Sequence, residues 1–70
     1  MTGREFIRRV RKFARKRGIN VRLDPSAGKG DHAALYLGDR KTIVPDQRKD
    51  IPTGTFRNMC RQLGIDPRDL

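Results

Sequence analysis

The chain carries one cysteine and one histidine in 70 residues. A lone cysteine excludes an internal disulfide. It also excludes a cysteine-based structural zinc site, which takes about four Cys or His ligands. His32 has only scattered aspartates for company, so a metal site has little to be built from, and neither a metal nor another cofactor is expected. No apolar run approaches the ~18 residues of a membrane-spanning helix. No leader with an apolar core precedes the first charged segment. These absences lead to the expectation of a reducing, cytoplasmic setting with no membrane association. No repeat, low-complexity stretch or linker interrupts the sequence, so residues 1–70 read as a single domain.

Acidic residues are also scarce. Eight Asp and Glu stand against 17 Lys and Arg, for a net charge of +9. The imbalance is concentrated near the start. Residues 1–23 hold nine cations and one acid, whereas residues 24–70 hold eight and seven. Such asymmetry says little about fold and much about partners, and it favours a polyanion over mere solubility. Size adds a second constraint. A domain this small buries only about 60% of the surface that its unfolded chain exposes. A deep enclosed pocket is therefore not expected, and an open surface that accepts a polymer is.

"TGRE" at Thr2–Glu5 has the form of a capping box, with Thr2 as cap and Glu5 reaching back. A helix is predicted from there to about Arg17. Phe6, Ile7, Val10, Phe13 and Ala14 fall within roughly 120° on a wheel of ~100° per residue, which makes a core stripe. Arg4, Arg8, Arg11 and Arg15 form a second, basic stripe, and Arg9, Lys12 and Lys16 fill the flank between. Gly18 is placed to end the helix in a left-handed conformation. "INVRLD" alternates as a half-buried strand, with Ile19, Val21 and Leu23 inward and Arg22 outward. "HAALYL" and "RKTIV" read as two more strands joined at Gly38–Asp39 as a tight hairpin. From Thr53 the helical period resumes through Phe56, Met59, Cys60 and Leu63, and Gly64 stops it. Cys60 lies on that core stripe and reads as a small buried hydrophobe. "DPRDL" offers Asp66 as cap and Pro67 as first position of a terminal turn. The order α-β-β-β-α predicts an α+β fold, a three-stranded antiparallel sheet packed on two helices. The double-stranded RNA-binding domain has this order.

"AGKGDHA" at Ala27–Ala33 holds the chemistry-bearing candidates. Gly28 and Gly30 would let a phosphate approach the backbone N–H groups, and Lys29 would add a charge. The segment is no P-loop, because the full spacing is absent. Histidine is the side chain suited to general acid–base work in the cellular pH range, which makes His32 the candidate for it. RNA brings its own nucleophile, the 2′-OH, which one histidine could serve without metal. Tyr36, four residues on, shares the strand face of His32 and is placed either to stack on a base or only to cover the sheet. The residues alone leave three readings open: a ribonuclease, a non-catalytic RNA-binding module, and a basic domain that docks an acidic protein.

Nearly the whole chain resembles the HicA family of toxins, also called YcfA-like proteins. The amphipathic first helix with its glycine stop, "GKGDH" before an apolar strand, "TIVP" and "IPTGTFRNMCRQLGID" follow that family's layout. The family's Gly-Ser-His corresponds to Gly30, Asp31 and His32, and its Gly-Thr helix start to Gly54 and Thr55. The resemblance implies a small ribonuclease of a type II toxin–antitoxin pair that cleaves mRNA and arrests translation. It implies a fold like the double-stranded RNA-binding domain and His32 as the catalytic group. It implies an acidic HicB-like antitoxin that masks His32 in a hetero-oligomer. Asp31 departs from the pattern, standing where serine is usual. The candidate RNA- and phosphate-binding residues are Gly28, Lys29, Gly30, Tyr36, Arg4, Arg8, Arg11, Arg15 and Arg22. The family's duplex-binding fold relatives place lysines at the start of the last helix. "TGTFRN" has none, so ordinary duplex binding is not expected.

Overall fold

The computed structural model describes residues 1–26 and 31–70. Helix α1 spans Gly3–Arg17, strands β1, β2 and β3 span Val21–Asp24, Ala33–Leu37 and Arg40–Val44, and helix α2 spans Thr53–Leu63. A single 3₁₀ turn, Pro67–Asp69, follows. The strands form an antiparallel sheet in the order β1-β2-β3, with β2 in the middle. The element order is the predicted α-β-β-β-α.

Helix α1 starts on Thr2, whose hydroxyl accepts the Glu5 N–H at 3.1 Å. The capping box is only half made. The Glu5 carboxylate turns to Arg8 and Arg9 instead of reaching back. Two guanidinium groups offer charge-assisted bonds that a backbone N–H does not match. They hold the Glu5 carboxyl down to about 2. The first helical N–H groups find other acceptors: Gly3 and Arg4 donate to the carbonyls of Lys49 and Gln47, in the β3–α2 connection. A Cβ on Gly3 would come within 2.9 Å of the Gln47 Cα, so the absent side chain is what lets α1 seat there.

Gly18 and Gly64 end the two helices at φ 68° and 72°, as left-handed caps. After Gly64, Ile65 is buried and its N–H bonds the Cys60 carbonyl. The hairpin turn uses Gly38 at φ 60°, with no positive φ at Asp39, which is the primed geometry that suits the twist of paired strands. Asp66 caps the last turn by accepting the Arg68 N–H.

Phe6, Val10, Ala14, Leu35, Val44, Met59 and Leu63 make the centre of the core between sheet and helices. Phe6 and Phe56 meet edge to face at 5.9 Å, joining α1 to α2. Thr42 is buried among them, and its hydroxyl donates to Gln62 of α2. Two expectations need correction. The first strand begins at Val21, leaving Ile19 in the preceding turn and 37% exposed. The Asn20 carbonyl there accepts the Gly38 N–H, so this turn packs against the hairpin rather than pairing as strand. Phe13 is only half-buried, because it lies at the margin of the stripe, with the Arg17 guanidinium over its ring.

Candidate nucleic-acid interface

Strand alternation divides β2. Ala33, Leu35 and Leu37 face the helices, while Ala34 and Tyr36 face the opposite side, which no helix covers. The register then sets the neighbours on that open face. Arg22 of β1 and Lys41 of β3 pair with Tyr36 from either side. The Arg22 guanidinium carbon is 4.1 Å from the Tyr36 ring centroid, and the Lys41 ammonium nitrogen is 5.9 Å away. Both distances lie within cation–π range. The next row is Asp24, Ala34 and Ile43. Ala34 is fully buried between its taller neighbours, and Ile43 is 39% exposed. Asp24 binds the Ser26 hydroxyl and N–H and lies 3.9 Å from Arg22.

His32 stands one residue before β2 and is exposed. Continued alternation carries it to the Tyr36 face, about 13 Å along the strand at ~3.3 Å per residue. Asp31 is also exposed, and its carboxylate lies 3.9 Å from the Arg48 guanidinium. Arg48 binds Asp46 at 3.3 Å, and its own N–H also reaches that carboxylate at 3.0 Å. These bonds hold the Asp46 carboxyl below the usual carboxylate range and raise Arg48 further, with a smaller contribution from Asp31. Asp31 thus has a cation within reach. Arg48 was missed by sequence reasoning, since nothing in "PDQRKD" signals a partner seventeen positions earlier. Lys41 was missed too, although the hairpin register would have found it.

The basic stripe is placed elsewhere. Arg4, Arg8, Arg11 and Arg15 are exposed on α1, in the helix layer behind the sheet, so they do not share the sheet face of Tyr36 and Arg22. The stripe runs roughly 16 Å from Arg4 to Arg15 at ~1.5 Å per residue. Only its Arg4 end approaches the β3–α2 connection that carries Arg48. Arg8 is engaged by both oxygens of Glu5, at 2.6 and 3.0 Å. Among the described residues Arg4, Arg11 and Arg15 take part in no ion pair. On the other flank of α1, Arg9, Lys12, Phe13, Lys16 and Arg17 line a groove of about 600 Å³. The last residues of the chain close it. Arg9 donates to the Leu70 carbonyl at 3.1 Å, and Arg17 lies 3.9 Å from Asp69.

Gly28, Lys29 and Gly30 lie outside the described residues. Among the described residues no three His, Cys, Asp or Glu side chains gather as metal ligands. Cys60 is buried, and burial followed by the nearby Asp66 charge raises its thiol above the ordinary value, which suits packing rather than nucleophilic attack. No helix is long and apolar enough to cross a membrane.

A family model described as the HicA toxin of bacterial toxin–antitoxin systems matches residues 3–65. No curated protein and no solved structure matches the chain. The matched span takes in α1, all three strands, α2 and the position of His32.

Proposed function

We propose that this chain, which belongs to the HicA toxin family of bacterial toxin–antitoxin systems, is an endoribonuclease that cleaves mRNA and so arrests translation. Family membership makes it a toxin with an antitoxin partner. The observation that carries the finer reading is His32, exposed one residue before β2, the strand that carries Tyr36 beside Arg22. The resemblance puts it at the histidine of the family's Gly-Ser-His motif.

The chemistry needs little more than one such group. The 2′-oxygen of a ribose attacks the adjacent phosphorus. The bond from phosphorus to the 5′-oxygen breaks, leaving a 2′,3′-cyclic phosphate and a free 5′-hydroxyl. One proton leaves the 2′-OH and one arrives on the 5′-oxygen. His32 serves as general base for the first or general acid for the second, a contribution of about 10²–10⁴ in rate. Lys29 and the Gly28 and Gly30 backbone hold the phosphate, and no metal is required. Tyr36 and Arg22 contact the RNA, and the Arg4–Arg15 stripe steers it. An acidic HicB-like antitoxin forms a hetero-oligomer that masks His32. The substrate places this activity in the cytoplasm.

Pure protein incubated with long mRNA in EDTA tests the reading. Cleavage is expected from the wild type and should vanish in His32→Ala, with an unchanged thermal melt and relieved growth arrest. DNA, or RNA with a deoxyribose at the scissile position, should remain intact. Retention of RNA without any cleavage would leave a non-catalytic binding module in its place.

A further inference from the structure

From the open sheet face we infer a base-stacking platform for single-stranded RNA, built by Tyr36 with Arg22 and Lys41 across the register and Ile43 beside them. It rests on reading the chain as a protein that acts on RNA, and it fixes the form of RNA that this face accepts.

Three observations carry it. First, the platform is assembled by pairing alone. Arg22, Tyr36 and Lys41 come from three strands and meet in one row, so the sheet holds the cations at the ring whether or not a ligand is present. Second, the surface is mixed. Tyr36 and the Arg22 guanidinium, which stacks on it, are planar groups on which a base can lie, and Ile43 extends the apolar area in the next row. Lys41 is exposed and adds a positive charge for a backbone phosphate. Third, the charge of the face suits this ligand. Its carboxylate, Asp24, is half-buried, bonded to Ser26 and close to Arg22, so the accessible edge presents cations.

The shape also selects. A duplex hides its bases in the stack and offers phosphates and groove edges, which a nearly planar sheet face cannot follow. A single strand offers free base faces. With Tyr36 about 13 Å from His32 along β2, a stacked base anchors the chain away from the bond that is cut. An acidic protein segment would pair with Arg22 and Lys41 but leave the Tyr36 ring unused, so it is the less favoured occupant.

The test uses the wild-type protein and a 2′-O-methyl single-stranded oligoribonucleotide carrying one 2-aminopurine, which cannot be cleaved through its 2′-oxygen. Stacking should quench the fluorophore on binding. Tyr36→Ala should weaken affinity roughly 5- to 150-fold and abolish the quench, given ~1–3 kcal/mol per stacked base. Tyr36→Phe should keep both, which separates stacking from the hydroxyl and guards against a folding artefact. Arg22→Ala should weaken binding as well, and the duplex of the same sequence should bind at least tenfold less tightly. Equal binding by wild type and Tyr36→Ala would overturn the platform. So would a duplex bound as tightly as the single strand, or a Tyr36→Ala defect confined to antitoxin binding. The ribonuclease reading is tested separately, since cleavage of unmodified RNA plays no part in this measurement. If the quench survives but no RNA is ever cut, that reading falls and the platform stands.

Discussion

At the scale of single residues, Asp31 is an exposed acid directly before His32, with Arg48 as its nearby cation. A carboxylate beside the proposed RNA site costs affinity for a phosphate backbone by repulsion. Arg48 offsets that cost in part, at 3.9 Å and in competition with Asp46. Both groups are well exposed, so the pair is worth little in stability. The consequence is that Asp31→Ser should leave the melting temperature almost unchanged. It should tighten RNA binding about two- to fivefold, the size expected from removing one exposed like charge. Titration of uncleavable RNA with both proteins measures it. Weaker binding by the serine variant would mean that the Asp31 carboxylate accepts a hydrogen bond from a donor on the RNA instead. His32 and Tyr36 were legible in sequence because strand alternation is local arithmetic. Arg48 and Lys41 were not, since each gains its meaning from a partner on another segment.

At the scale of elements, the junction of α1 with the β3–α2 connection decides where the helix layer sits. Carbonyls of Gln47 and Lys49 accept the first helical N–H groups, and Gly3 leaves room for the Gln47 backbone. Gly3→Ala would place a Cβ 2.9 Å from the Gln47 Cα and 3.2 Å from the Pro45 carbonyl oxygen. Backbone atoms do not yield cheaply, so the strain outweighs the helix propensity gained from alanine. A loss of about 1–2 kcal/mol is expected, or a drop of several degrees in Tm. Gly54→Ala is the control. Nothing lies within 4 Å of its Cβ position, so the same substitution in α2 should stabilise by about 0.5–1 kcal/mol. Thermal melts of both variants check the pair, and a Gly3→Ala protein as stable as wild type would refute the docking argument. The capping box shows the same limit on sequence reading. Its Thr2 half is made, but Glu5 is drawn to Arg8 and Arg9, a competition settled by three side chains together.

At the scale of the whole molecule, charge is divided between two faces. The sheet face carries Arg22 and Lys41 around Tyr36, whereas α1 carries eight Lys and Arg against Glu5 alone. Salt dependence tells whether RNA touches both. Each phosphate contact on a single strand adds about −0.7 to the slope of log K against log salt. Replacing Arg11 and Arg15 together by Gln should flatten that slope by about 1.4 if the stripe follows the RNA backbone. An unchanged slope, with weakened antitoxin binding, would assign α1 to the partner protein instead.

The sequence by itself determined the element order, both helix stops, the hairpin, most of the core and the family, because each rests on short-range periodicity, glycine conformation or a contiguous motif. Its charge asymmetry also marked α1 as basic. Only the tertiary structure decided that the basic stripe and Tyr36 lie in different layers, that Tyr36 sits between two cations, and that Arg48 reaches Asp31. Those are matters of register and layer packing, and they arise where segments distant in the chain are brought side by side to bury one shared core.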